Sequence, residues 1–172
     1  MQIKLISKKK KELLKEEILD ICKLKNETWK YGLKSQLNFF NENTLSNDLH
    51  NLFFINSKLI GYTVLKKRSC LFNKIKSKYI LFDTLVIKKK FRKKNFSKLI
   101  MDFNNIIIEQ QKIFAILFCS KKLIKFYKKF NWINIKNSNV STLDHSSFSY
   151  AMIFDYKKSK KKLSNFSIYV YK

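Results

Sequence analysis

Residues 82–100, FDTLVIKKKFRKKNFSKLI, decide the fold because their hydrophobic pattern changes period in the middle. Residues 79–88 are apolar and strand-like, whereas apolar residues recur at helical spacing over 96–111. A basic stretch, 89–95, joins the two. Strand, turn and helix in this order bring backbone N–H donors and the positive end of a helix dipole to one place. The stretch predicts a cradle for a pyrophosphate, and the alternative is an ordinary solvated loop.

Working outward in both directions, the hydrophobic pattern predicts further strands and helices. We expect strands over residues 2–7, 52–55, 59–66, 114–118, 132–135, 148–156 and 164–171, and helices over 10–25, 33–40, 121–130 and a short one after Thr44. The order is a meander of antiparallel strands followed by one strand–helix–strand crossover. It predicts a single α/β (α+β) domain over residues 1–172, with a mixed, mostly antiparallel central sheet and helices on both faces.

The chain of 172 residues carries a formal net charge of +25, which suits a nucleic-acid partner. A codon usage biased toward A and T explains the same lysines, because Asn, Ile and Phe are also abundant while Gly occurs twice and Pro never. The lysines are spread along the chain and not gathered into one arm with interleaved aromatic residues. We therefore expect no nucleic-acid partner, although the positive field attracts anions.

Three cysteines, Cys22, Cys70 and Cys119, form no C-x-x-C pair. An odd, sparse set predicts buried thiols in place of disulfides or zinc ligands, and Cys119 is expected to be structural, not a nucleophile. We expect no metal. The sequence also has no apolar run long enough for a membrane span and no signal peptide at its start, so a cytoplasmic location is expected.

Two segments together resemble motifs A and B of the GNAT N-acetyltransferase superfamily. The first pattern is a strand, then Q/R-x-x-G-x-G/A, then a helix, for which this chain has RKKNFS at residues 92–97. The second is a strand and a helix ending in Phe-Tyr-x-x-x-Gly-Phe/Trp, for which it has LFCS at 117–120 and LIKFYKKFNW at 123–132. The resemblance covers residues 52–156 and implies a GNAT-like fold and acetyl transfer from acetyl-coenzyme A.

The glycines of both motifs are replaced. Asn95 and Ser97 stand at the two glycine positions of the first, and Asn131 stands at that of the second. Asn is the non-glycine residue that best tolerates a left-handed backbone, so Asn95 and Asn131 are expected to adopt one. The replacements leave open how strongly the coenzyme binds.

The resemblance implies roles for particular residues. Backbone groups of Leu85, Val86 and Ile87 would bind the pantetheine arm and polarise the thioester carbonyl. The pyrophosphate would lie in the cradle, and two residues of motif B would line the coenzyme. These cofactor-binding residues are Arg92, Lys93, Lys94, Asn95, Phe96, Ser97 and Lys98 in the cradle, and Ser120 and Phe126 in motif B.

By the same resemblance, Tyr127 would protonate the departing thiolate, since a phenol is a neutral donor at pH 7. The alternative is an aromatic residue packed in the core. Asp83 would accept the proton of the attacking amine or hold its ammonium group, and the alternative is an ordinary carboxylate of the sheet. His145 and His50 are weaker candidates for a base, and His50 is expected at the end of a helix.

Three functions remain open at this point. The first is transfer of an acetyl group to a primary amine of an unidentified small molecule or protein N-terminus, and the basic surface favours anionic acceptors. The second is an RNA- or ribosome-associated module without catalysis, and the third is a sensor that binds acetyl-coenzyme A without turnover. The edge character of 164–171 also makes a homodimer a possibility.

Overall fold

The computed structural model describes residues 1–92, 94–135, 139–142, 150–154 and 167–170. These residues contain four α-helices and nine strands. They are β1 (Ile3–Lys9), α1 (Lys15–Thr28), α2 (Leu33–Asn43), β2 (Leu49–Ile55), β3 (Lys58–Phe72), β4 (Ile75–Ile87), α3 (Phe96–Gln111), β5 (Ala115–Cys119), α4 (Ile124–Lys128), β6 (Ile133–Asn134), β7 (Val140–Thr142), β8 (Tyr150–Phe154) and β9 (Ile168–Val170).

The strands pair in the order β1-β2-β3-β4-β5-β8-β6, and β9 pairs with both β3 and β7. Pairs β1–β2, β2–β3, β3–β9, β5–β8 and β6–β8 are antiparallel, whereas β4–β5 and β7–β9 are parallel. Helix α3 connects β4 to β5, which is the predicted strand–helix–strand crossover. The predicted fold class, a mixed and mostly antiparallel α/β sheet, is confirmed.

The chain forms two compact units. The first consists of Met1–Lys66 and Asp83–Asn104, and the second of Lys67–Phe82 and Asn105–Lys172. Strands β3 and β4 each contribute to both. The single domain over residues 1–172 stays a prediction.

In the first unit, helices pack on both faces of the strands because successive side chains of a strand point to opposite faces. Leu52 of β2 belongs to a cluster with residues of α1 and α2, whereas its neighbour Phe53 packs with Phe96 and Ile100 of α3. Gly61 of β3 permits the approach of α3, since a Cβ there would lie 2.6 Å from Cδ1 of Ile100.

The second unit has its own core around β5 and β8. Cys70, Tyr79, Ile116, Ile153 and Ile168 are members of this cluster, and all are at most 2% exposed. Ala115, Ile116 and Leu117 of β5 are buried and Phe118 is half-buried, in agreement with the apolar run that predicted the strand.

Several predicted boundaries are wrong. Helix α1 begins at Lys15 and not at residue 10, because Lys10–Glu12 form a separate 3-10 turn. No helix follows Thr44, and His50 lies inside β2, where its ring is fully buried. Strands β3 and β4 extend to a second hairpin turn at Asn73 and Lys74, both with positive φ.

The expectation of an exposed edge near the C-terminus is also wrong for the part that the structure describes. Ile168–Val170 form β9, which pairs with Cys70–Phe72 of β3 on one side and with β7 on the other. The homodimer remains a prediction, but an exposed edge at β9 no longer supports it.

Candidate functional site

Strand β4 is irregular at the residue just before the segment predicted to bind pantetheine. Thr84 has a φ of 54°, which is unusual for a β-branched residue and costs roughly 1–3 kcal/mol of backbone strain. In the second unit, β4 pairs with β5 only through Ile80 with Ala115 and Leu81 with Ile116. Among the described residues, Leu85, Val86 and Ile87 take no part in that pairing.

Residues 85–87 are nevertheless fixed within the first unit. Val86 and Ile87 are buried in the two clusters of that unit, and Leu85 packs against one of them. The N–H of Lys88 donates to the carbonyl of Ile60 on β3 at 2.8 Å. The segment thus has the rigid backing that a backbone binding site requires.

The start of α3 has the predicted form of a turn followed by a helix, and its role as a pyrophosphate cradle stays a prediction. Asn95 has a φ of 58°, so its predicted left-handed backbone is confirmed, and α3 begins at the next residue, Phe96. The N–H of Lys98 donates to the carbonyl of Asn95 at 3.0 Å. Phe96 is buried against Phe53, which anchors the first turn, and Ser97 is half-buried. The first N–H groups of an α-helix have no partner inside the helix and are available to an anion.

The cations around this helix start have different surroundings. Arg92 is held by two hydrogen bonds, from Nε to the carbonyl of Ile87 at 2.8 Å and from a terminal nitrogen to Oγ1 of Thr28 at 2.9 Å. Lys98 forms an ion pair with Asp102 at 2.6 Å, with most of its side chain in solvent. Lys94 is exposed, and Lys93 lies outside the described residues. Arg92 thus makes hydrogen bonds within the turn and Lys98 is paired with Asp102, and the anion-binding roles of Arg92, Lys94 and Lys98 stay predictions.

Asp83 is engaged in an ion pair that the sequence analysis missed. Its Oδ2 accepts a hydrogen bond from Nζ of Lys66 at 2.6 Å, and the lysine side chain is only 7% exposed. Asp83 itself is about one-third exposed, at 35%. The pairing shows that this carboxylate already holds one ammonium group. A lysine 17 positions away in sequence gives no local signal for such a partner.

A pocket of about 260 Å³ lies beside Asp83 in the first unit. It is lined by residues of α1, α2, the corner between them and β4: Lys25, Trp29, Tyr31, Ser35, Gln36, Phe39, Asp83 and Thr84. Of these, only Asp83 was a candidate from the sequence. The others stand in unremarkable helical patterns, so only the packing of α1 and α2 brings them together.

Tyr127, Ser120 and Phe126 lie in the second unit. Tyr127 is 6% exposed and packs edge-on against Phe82, with ring centroids 6.3 Å apart, and near Trp132. Ser120 is exposed before the short α4, and Phe126 is half-buried. The predicted left-handed backbone at Asn131 is confirmed by a φ of 65°. These residues keep their proposed roles as predictions.

The other candidate groups are buried or undescribed. His50 is fully buried with Nδ1 2.7 Å from the Tyr62 hydroxyl, and burial lowers its pKa from 6.5 to about 4. It is not accessible as a base. His145 lies outside the described residues. The buried thiols are confirmed, because Cys22, Cys70 and Cys119 are free and buried, and burial raises the pKa of each.

Within the described ranges, no three His, Cys, Asp or Glu side chains come together as a metal site would need. No helix in this part of the chain is both long and apolar enough to cross a membrane. The cytoplasmic location stays a prediction.

Comparison of the sequence with models of known families finds no match. Comparison with curated protein sequences finds none either. Comparison with solved structures, by contrast, finds GNAT proteins.

A GNAT family N-acetyltransferase from Escherichia coli (YhbS), solved in complex with CoA, is similar with a TM-score of 0.68 at 9% identity, over 99% of this chain and 91% of that one. An acyl-CoA N-acyltransferase from Pseudomonas aeruginosa has a TM-score of 0.66 at 11% identity, over 88% and 99%. The Bacillus subtilis N-acetyltransferase YlbP, in complex with coenzyme A, has a TM-score of 0.59 at 14% identity, over 90% and 97%. The protein therefore has the fold of the GNAT acyltransferases.

Proposed function

We propose that this protein is an N-acetyltransferase that uses acetyl-coenzyme A as co-substrate and a primary amine as acceptor. The observation that carries the proposal is the backbone geometry of β4 and of the start of α3, in a chain that has the GNAT fold. The strand is irregular at Thr84, and the helix that follows begins after a left-handed Asn95. The three similar structures named above are N-acyl- or N-acetyltransferases, and two of them are complexes with coenzyme A.

The coenzyme is proposed to bind mainly through backbone groups. The edge of β4 at Leu85, Val86 and Ile87 would pair with the pantetheine arm, and one N–H there would stabilise the negative charge that develops on the thioester oxygen. Such a donor contributes about 3 kcal/mol in other acyl-transfer sites. Asn95 and the first turn of α3, with Phe96 and Ser97, would hold the pyrophosphate. Positive charge would come from the cations of the same stretch, Arg92, Lys93, Lys94 and Lys98.

The transfer itself is a direct attack. The nitrogen lone pair of the neutral amine attacks the thioester carbonyl carbon, a C–N bond forms and the C–S bond breaks. The proton that the amine loses passes to a base or to water, and the departing sulfur takes up a proton. We propose Tyr127 as the donor to sulfur and Asp83 as the group that holds or deprotonates the amine, while Ser120 and Phe126 line the coenzyme. This chemistry needs no metal.

The test measures release of the coenzyme A thiol from acetyl-coenzyme A with a panel of primary amines. Tyr127→Phe is expected to lower kcat by about 10²- to 10⁴-fold while the Kd for acetyl-coenzyme A stays the same. Tyr79→Phe is the matched control, because Tyr79 is a buried tyrosine of the same unit with no proposed role.

Three results would contradict parts of this proposal. Full activity of Tyr127→Phe would remove the tyrosine from the mechanism. Tight coenzyme binding with no turnover of any amine would favour a sensor. If the protein does not bind the coenzyme but binds RNA with a steep dependence on salt, the result would favour an RNA-binding module over an enzyme.

A further inference from the structure

The pocket beside Asp83 contains a buried positive charge. Lys25 of α1 is 6% exposed and lines the pocket. Its Nζ lies 4.6 Å from the centre of the Phe39 ring, a cation–π contact. In the described part of the chain no carboxylate lies within ion-pair distance of it. The one acidic group in the pocket wall, Asp83, is already paired with Lys66.

Burial of an ammonium group without a carboxylate is costly, because the charge loses its water. Burial accordingly lowers the pKa of Lys25, with Cys22 and Asp83 acting in the opposite direction and Lys66 adding to the decrease. Lys residues are rarely this buried unless they are paired. A ligand with an acidic group would supply the missing counter-charge.

The rest of the pocket wall is partly aromatic and partly polar, and hydrogen bonds hold the corner between α1 and α2. Trp29, Tyr31 and Phe39 form the apolar part, and Phe39 and Tyr31 also border a wider groove outside. Nε2 of buried Gln36 donates to the carbonyl of Trp29 at 2.9 Å, and the N–H of Gly32 donates to Oδ1 of Asn26 at 2.9 Å. The corner between α1 and α2 is thus held in place before any ligand binds.

We propose that this pocket binds the acceptor, and that the acceptor is a small primary amine bearing a carboxylate or phosphate that pairs with Lys25. The amine would lie toward Asp83 and Thr84, and an apolar part of the molecule would contact the aromatic wall. A volume of about 260 Å³ suits a small metabolite. The inference rests on the proposed acetyl transfer and adds the class of acceptor to it.

The experiment compares matched amines that differ in the acidic group. L-Phenylalanine is compared with phenethylamine for the carboxylate, and O-phosphoethanolamine with ethanolamine for the phosphate. Acetylation rates are measured with the wild type, with Lys25→Met, and with the control Lys23→Met. Lys23 lies on the same helix, but its side chain is 56% exposed and only loosely paired with Asp20 at 3.8 Å.

We expect one acid-bearing amine to have a kcat/KM about tenfold or more above that of its partner, as charged hydrogen bonds allow. Lys25→Met should abolish this preference, and a circular dichroism spectrum and acetyl-coenzyme A affinity equal to those of the wild type show that the variant is folded. Lys23→Met should keep the preference. The matched pair of amines in which the acid-bearing member is preferred shows whether the acidic group of the acceptor is a carboxylate or a phosphate.

Acetyl-coenzyme A binding, measured on the same samples, separates the two proposals. If the coenzyme does not bind, the proposed function fails and the acceptor class fails with it. If it binds but no acid-bearing amine is preferred, or if the preference survives in Lys25→Met, only the acceptor class is overturned. If the coenzyme binds but no acid-bearing amine is acetylated or bound, the acceptor class is overturned as well.

Discussion

Replacing Gly61 by alanine is expected to destabilise the first unit through a steric clash. The new Cβ would lie 2.6 Å from Cδ1 of Ile100 and 3.2 Å from Cδ1 of Phe53, whereas carbon atoms in contact are normally about 3.5–4.0 Å apart. Ile100 and Phe53 are 1% and 0% exposed, so the new methyl group has to displace side chains within the core. We expect a loss of about 2–3 kcal/mol, the upper part of the range for overpacked cores. Thermal unfolding should shift down by about 4–12 °C.

A double-mutant cycle with Ile100→Val tests the cause, because valine lacks the Cδ1 atom that clashes. Ile100→Val alone should cost about 0.5–1.5 kcal/mol. In the Gly61→Ala background it should cost less, or even stabilise, with a coupling of about 1 kcal/mol or more. Unfolding in urea, followed by circular dichroism, measures all four proteins.

The second glycine of the chain provides the control. Gly32 has a φ of 86° and no atom within 4 Å of an added Cβ, so Gly32→Ala introduces backbone strain without a clash. Because its ψ of 149° places it in a region that is essentially restricted to glycine, the substitution should cost about 1–3 kcal/mol, and Ile100→Val should not relieve that cost. If Gly61→Ala and Ile100→Val are additive within about 0.5 kcal/mol, the steric explanation is refuted.

Three further predictions concern single sites. Asn95→Val should destabilise by about 1–2 kcal/mol relative to Asn95→Gly, because a β-branched residue resists the left-handed backbone; equal urea midpoints would contradict this. Burial lowers the pKa of His50 from 6.5 to about 4, so the unfolded chain binds a proton that the folded chain does not, and stability should fall by up to about 3 kcal/mol as the pH decreases from 6.5 to 4. His50→Gln should remove this contribution to the dependence of the unfolding free energy on pH. If the pH dependence of unfolding is unchanged in the variant, His50 is not its cause. Asp83→Asn should cost about 1–3 kcal/mol by leaving Lys66 unpaired, and adding Lys66→Met should recover most of it; failure of the double variant to recover would argue against the ion pair.

Local patterns predict the elements that local physics controls. Helix α3 has the predicted bounds, Phe96–Gln111, because its apolar stripe is uninterrupted and a turn residue precedes it. The left-handed backbones of Asn95 and Asn131 were likewise predictable, since Asn is the residue best suited to replace Gly there. The hairpin at Asn56 and Ser57, both with positive φ, follows from a polar interruption between two apolar runs.

Tertiary contacts control what the sequence analysis missed. The far halves of β3 and β4 carry many lysines in place of a clear apolar alternation, and a single Asn, Asn73, without a neighbouring Gly is a weak turn signal. His50 was expected at a helix end, but pairing with β3 places it in a strand opposite Val64. The partnership of Lys66 with Asp83, and the pocket with Lys25, depend on residues far apart in sequence.

Binding of acetyl-coenzyme A, measured by calorimetry at two salt concentrations, tests the central claim most directly. The variant Asn95→Asp should be included, because Asp tolerates the left-handed backbone nearly as Asn does and places a negative charge at the start of α3. The account predicts micromolar binding to the wild type, weaker binding at the higher salt concentration, and loss of binding in the variant. No binding to the wild type at low salt, or equal binding to the variant, would contradict the proposed coenzyme site.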